Sequence, residues 1–268
     1  MHDIVTETTT CENGLPVFLA RPADIEGTVP GIVLMHERYG FVQHTQDLAE
    51  RFAREGFVCA APDCFFRAPD QETLHAGDAR YDITDEEAVE HLSLAVDLLE
   101  ARNDVNSDCI AVKGVCQTGR HPLALAAHRK IAAALVWYGA AQDSQWEQND
   151  LFPEPLDDLI ARIDCPVLGM FGEGDHMISL DHVGLLRASL ERHRKSYEIH
   201  VYEEAPHGWL NDTMPGRYRK PAAEAALADE RKFLEWAFSA GRDRNVVTWR
   251  FFCDSGKDYD FSSNVRQE

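Results

Sequence analysis

Val112-Lys113-Gly114-Val115-Cys116-Gln117-Thr118-Gly119-Arg120 is the stretch on which the reading of this chain turns. Cys109 to Val115 is a short strand-like run carrying several β-branched residues, and an Ala/Leu-rich helical pattern follows from Pro122 to Lys130. A strand that turns sharply into a helix with a nucleophile at the corner has the form Gly-x-nucleophile-x-Gly. Gly114 matches the first glycine, whereas Thr118 stands where the last is expected. A nucleophile at such a corner stands clear of the sheet, small neighbours permit the strained turn, and the helix N-terminus directs amide hydrogens and a positive dipole at it. On its own the stretch reads rather as a buried structural cysteine ending a core strand, the commoner fate of a lone Cys.

The surrounding chain sets the frame. Its 268 residues suit one large α/β domain, and 44% hydrophobic residues can bury a sizeable core. With 26 basic against 46 acidic residues the formal charge is -20, so there is no cationic excess to neutralise phosphates and no nucleic-acid partner is expected. The seven cysteines have no CxxC spacing, which predicts free thiols in a reducing compartment rather than a disulfide framework or zinc knuckle. The N-terminal residues lack a basic and an apolar region of signal-peptide type, and no apolar run reaches the roughly 20 residues of a membrane span. A cytoplasmic protein, monomeric or a small homo-oligomer, without a membrane partner is the expectation.

Strand and helix patterns alternate along the chain. Thr6–Cys11 and Leu15–Arg21 read as a hairpin around Asn13-Gly14. Gly31–His36, Phe57–Ala61, Cys109–Val115, Ala132–Tyr138 and Pro166–Phe171 read as strands buried on both faces, with Glu198–Tyr202 nearer the sheet edge. Helices are predicted over His44–Glu55, Asp85–Arg102, 153–162, 180–194 and 219–240, and residues 64–84 as loops over a site. This rhythm predicts a mostly parallel, doubly wound α/β sheet flanked by helices. Residues 1–240 form one domain in this reading, and 241–268 an extension that adds a strand packed on it.

In open α/β sheets the working residues gather at the C-terminal ends of the strands. Reading only those positions yields Glu37 after His36, Cys116, Asp175 in Gly172-Glu173-Gly174-Asp175, and His207 in Ala205-Pro206-His207-Gly208-Trp209. Taken singly, Asp175 reads as a turn residue and His207 as a loop histidine. Together, Cys116, Asp175 and His207 stand in the order nucleophile, acid, histidine that this fold uses. A thiolate is the attacking species, so Cys116 needs a base or cation beside it; His207 would manage that proton and Asp175 would orient the imidazole. The amides of Gln117 and Arg38 are the expected oxyanion donors. The twelve histidines show no HxH or HExxH spacing, so no metal and no cofactor is expected.

His36-Glu37-Arg38-Tyr39-Gly40, Ala61-Pro62-Asp63, Gly114-Val115-Cys116, Gly172-x-x-Asp175 and His207-Gly208-x-x-Asn211-Asp212-Thr213 together resemble the dienelactone hydrolase family over about residues 10–240. That resemblance implies an α/β-hydrolase fold, a Cys116–Asp175–His207 triad, no metal, and a small lactone or activated ester as substrate. It implies further that Glu37 pairs with the resting thiol. Two positions depart from the family pattern: Thr118 brings a hydroxyl to the elbow, and Asn211 replaces an arginine that holds a substrate carboxylate in members acting on anionic lactones. Arg38, Arg67, Arg80, Arg120 and Arg217 are available replacements, and substrate contacts are expected from Arg80, Arg120, Trp209 and Asn211. A thioesterase or acyl transferase using the same triad, or a non-catalytic ligand-binding protein of the same fold, are the alternative readings.

Overall fold

The structure, a computed structural model, describes residues 2–253. Residues 254–268, the greater part of the expected extension, lie outside the described residues. The chain opens with a hairpin, β1 (Ile4–Thr10) and β2 (Pro16–Pro22), joined around Gly14 at φ +86°. Then come β3 (Val29–Leu34), α1 (Gln43–Arg54), β4 (Val58–Pro62), the short α2 (Gln71–Ala76) and α3 (Asp85–Glu100). β5 (Val105–Val115) leads through one 3-10 turn, Cys116–Arg120, into α4 (His121–His128). β6 (Ala133–Trp137), α5 (Leu156–Arg162), β7 (Val167–Gly172), α6 (Leu180–Arg192), β8 (Tyr197–Tyr202), α7 (Lys220–Ala237) and β9 (Trp249–Cys253) follow among the described residues.

One sheet of nine strands runs in the order β1-β2-β4-β3-β5-β6-β7-β8-β9. Its first two pairings are antiparallel and the rest parallel. Every residue of β4, β6, β7 and β8 is buried, as strands covered by helices on both faces must be. β8 is therefore deeper than its alternating sequence implied. β9 pairs with it in parallel and becomes the edge, exposing Trp249 and Phe252.

Two apolar cores lie on opposite faces of this sheet. α3, α4, α5 and α6 pack on one, α1 and α7 on the other. α3 shows how sequence becomes position. Thr84 caps it in a reciprocal capping box with Glu87, three acids fill its first turn, and Ala88, Leu92, Ala95, Val96 and Leu99 are buried on one side. The segment 64–84, expected to be loop, contains one short helix before it passes along the C-terminal ends of the strands.

Candidate active site

β5 ends at Val115, and Cys116 takes φ +59°, a conformation that costs a non-glycine residue on the order of 1–3 kcal/mol. The turn is held by close backbone contact. A Cβ on Gly119 would lie 2.6 Å from the Cα of Gly139, so only glycine fits where the elbow passes the end of β6. Thr118 is fully buried. Its hydroxyl accepts from the Val115 amide at 3.0 Å and lies 2.9 Å and 3.0 Å from the His36 and Val115 carbonyl oxygens, to one of which it donates. The threonine that departs from the family elbow thus pins the turn to the end of β3; its hydroxyl does not face the cavity.

Cys116 Sγ lies 3.0 Å from His207 Nε2, and His207 Nδ1 lies 2.9 Å from Asp175 Oδ2. The other Asp175 oxygen accepts from the amides of Met177 (2.7 Å) and Ile178 (2.9 Å), which fixes the carboxylate in the turn after β7. Burial opposes a charge on His207, but its hydrogen bonds to Asp175 and Cys116 outweigh this and push its pKa up to about 10. The imidazole is also packed edge-on against Tyr138, with ring centroids 5.3 Å apart.

Glu37 lies beside this relay with a pairing different from the one the resemblance implied. Its carboxylate accepts from the Tyr138 hydroxyl at 3.2 Å and from the Asn211 side-chain amide at 2.5 Å, while the thiol faces His207. Asn211 is 1% exposed, so its partner is Glu37 rather than a ligand. Burial, with Glu37 alongside, holds the Tyr138 phenol well above its ordinary pKa and keeps it a donor. Tyr138 was not among the expected site residues. Its position at the end of a buried strand was a usable signal, because the same rule had selected Cys116 and Asp175.

The sulfur opens into a cavity of about 510 Å³. Arg38, Arg80 and Gln117 line it, as does Arg217; Arg67 instead covers the Phe66 ring. Arg80 is bound through two nitrogens to Asp82 at 2.8–3.0 Å, and Gln117 donates to Asp82 and to the Tyr81 carbonyl. Arg38 donates to the Gly77 carbonyl at 2.7 Å.

Two expected substrate contacts lie elsewhere. Trp209 is fully buried, stacked on Trp137 at 5.4 Å, so it is core. Arg120 is fully buried and forked onto Asp85, because its side chain follows α4 inward rather than the elbow outward. One wall of the cavity comes from residues 144–152, including Gln148, Asn149, Leu151 and Phe152, a loop whose sequence carried no site signal. Among the described residues, no group of three or more His, Cys, Asp or Glu is placed to hold a metal, and no helix is long and apolar enough to cross a membrane.

The dienelactone hydrolase family model matches residues 15–238. A Yersinia pestis protein carrying the provisional name carboxymethylenebutenolidase is 29% identical over 245 residues, covering 86% of each chain. A Bradyrhizobium protein provisionally named a 2-oxo-3-(5-oxofuran-2-ylidene)propanoate lactonase is 26% identical over 224 residues, covering 82% of this chain and 88% of its own. A crystal structure from Klebsiella pneumoniae, provisionally described as a dienelactone hydrolase, superposes with a TM-score of 0.77 at 26% identity, over 87% of this chain and 99% of that one. With the match running from β2 through α7, across the elbow and the His207 loop, this chain belongs to the dienelactone hydrolase family of α/β-hydrolases and is a hydrolase of lactones or carboxylic esters.

Proposed function

We propose that the protein hydrolyses a small lactone or activated ester through an acyl-Cys116 intermediate, with His207 as proton carrier and Asp175 as its orienting group. The observation that carries this reading is the unbroken relay of 3.0 Å and 2.9 Å from sulfur to imidazole to carboxylate, set at a strained strand end and open to a cavity. His207 Nε2 beside the sulfur is placed to take the proton that must leave it, the thiolate being the attacking form. Sγ bonds to the substrate carbonyl carbon, and the oxyanion is received by the backbone amides of Gln117 and Arg38, both of which border the cavity. Collapse breaks the C–O bond, and the departing oxygen takes the proton held on His207 Nε2. In a lactone that oxygen stays tethered to the acyl group. Water then gives a proton to His207 and adds to the thioester carbon. The second collapse releases the acid and returns the thiolate–imidazolium pair.

Departure of the oxygen must compete with loss of the better-leaving thiolate, which favours enol or aryl leaving groups. Glu37, held by Tyr138 and Asn211, borders the cavity beside the relay. The seven unpaired cysteines fit a reducing, cytoplasmic setting.

The test is a screen of aryl esters and enol lactones with mass spectrometry of rapidly quenched enzyme. An acyl adduct on Cys116, and loss of turnover in a folded Cys116→Ala variant, are expected. Turnover that survives in that variant, or an adduct on another residue, would overturn the assignment.

A further inference from the structure

Arg120 carries a charge wholly inside the protein, one turn from the nucleophile, yet it touches nothing in the relay. Its Nε lies 3.0 Å and 3.1 Å from the two oxygens of Asp85, and its Nη2 lies 2.8 Å from one of them. The remaining donors leave this ion pair for another part of the chain. Nη1 donates to the Gln145 carbonyl at 3.1 Å and Nη2 to the Glu154 carbonyl at 2.5 Å. The guanidinium plane covers the Phe152 ring at 4.4 Å, and the Asp85 amide donates to the Leu151 carbonyl.

Those contacts grip both ends of the loop that forms one cavity wall. Between them the loop is folded on itself around Asn149. That side chain accepts from the amides of Leu151 and Phe152 and donates to the carbonyls of Ser144 and Glu147. Such a loop is shaped internally, but its distance from Cys116 must be set from outside. A planar fork with five donors can bind a carboxylate and two carbonyls at once; a lysine ammonium cannot match that geometry.

We infer that Arg120, clamped by Asp85, is a positioning residue that fixes the 144–152 wall relative to the Cys116 elbow and so determines how long a substrate is accepted. This rests on the proposed use of the cavity as the substrate site. Short acyl esters would react without reaching the wall. Substrates with an apolar or aromatic group several bonds from the carbonyl would be read by Leu151, Phe152 and Met177.

The experiment compares an aryl acetate with the corresponding ester of a long arylalkanoic acid in the wild type, Arg120→Lys and Phe152→Ala. Hydrogen exchange over 143–154 is measured in the first two. Arg120→Lys is expected to raise KM for the long ester about tenfold, the scale on which pocket contacts discriminate substrates, with a smaller change in kcat. Exchange over 143–154 should quicken while that of β5 does not. Phe152→Ala, which shortens a half-buried wall residue and removes its ring from the guanidinium while the bonds of Arg120 to Asp85, Gln145 and Glu154 stay in place, should show the same selective rise. An unchanged ratio of long to short ester in either variant overturns the inference, as does unchanged exchange over the loop in folded Arg120→Lys. A wild type inactive on both esters would instead count against the proposed reaction.

Discussion

Two buried ionic clusters hang from the same strand, and they use charge in opposite ways. Lys113, within β5, has its ammonium 2.8 Å from Glu230 of α7, with both side chains at most 1% exposed. Trp137 and Phe52 close over the ammonium at 3.8 Å and 5.2 Å from their ring centroids. Burial pushes Lys113 down and Glu230 up, so each group depends on the other to stay charged. Three residues later Cys116 begins the second cluster, in which sulfur, imidazole and carboxylate form a line with the sulfur open to a cavity. The first cluster is closed and joins a helix to the sheet. The second is left incomplete at one end, which is what a reacting group requires. A buried charge is thus structural or chemical here according to whether its outermost atom meets more protein or a space that a substrate can enter.

The comparison is broken most forcefully at Asp175. Asp175→Asn should lower kcat by about 10⁴, the scale known for removing a triad carboxylate, with little change in denaturant midpoint. A loss of stability as large as the loss of rate would make Asp175 a structural acid instead. The opposite pattern is expected for Glu230→Leu, which strands Lys113 and should cost about 3–5 kcal/mol in urea unfolding while folded protein keeps its turnover. Adding Lys113→Met should recover most of that stability. Failure of the double variant to recover would mean that the pair does more than balance charge.

Titration sharpens the contrast. His207 sits at about 10 when folded against an ordinary 6.5, so its bonds to Asp175 and Cys116 stabilise the fold fully below pH 6.5. That contribution declines as the pH rises and is gone once it has passed about 10. Wild type should therefore lose more stability than His207→Gln between pH 6.5 and 10 in denaturant melts; parallel curves would refute the assignment. The smallest effect is expected at the rim. Asp82→Asn frees the exposed Arg80 guanidinium, and because such surface pairs are worth at most about 1 kcal/mol it should improve kcat/KM for carboxylate-bearing over neutral esters only a few-fold. A ratio that does not move would show that Arg80 stays out of the substrate's reach.

The sequence by itself determined the layered α/β architecture, because strands buried on both faces and one-sided helices must write their period into the chain. It also singled out Cys116, Asp175 and His207, since this architecture places chemistry at strand ends and each of the three follows an apolar run. What it could not decide is where long side chains point. Arg120 and Trp209 are near the elbow and His207 in sequence, yet both turn inward, one to Asp85 and the other to Trp137. Asn211 found Glu37, and Tyr138 joined it, through contacts between residues far apart in the chain. The cavity wall is the extreme case. Residues 144–152 carry no periodicity that reports a site, yet they line the same cavity as Cys116, and one guanidinium reaches the carbonyls of Gln145 and Glu154 beside them. Only the folded chain brings those atoms together, because hydrogen bonding to backbone carbonyls leaves no residue-type signature in the sequence.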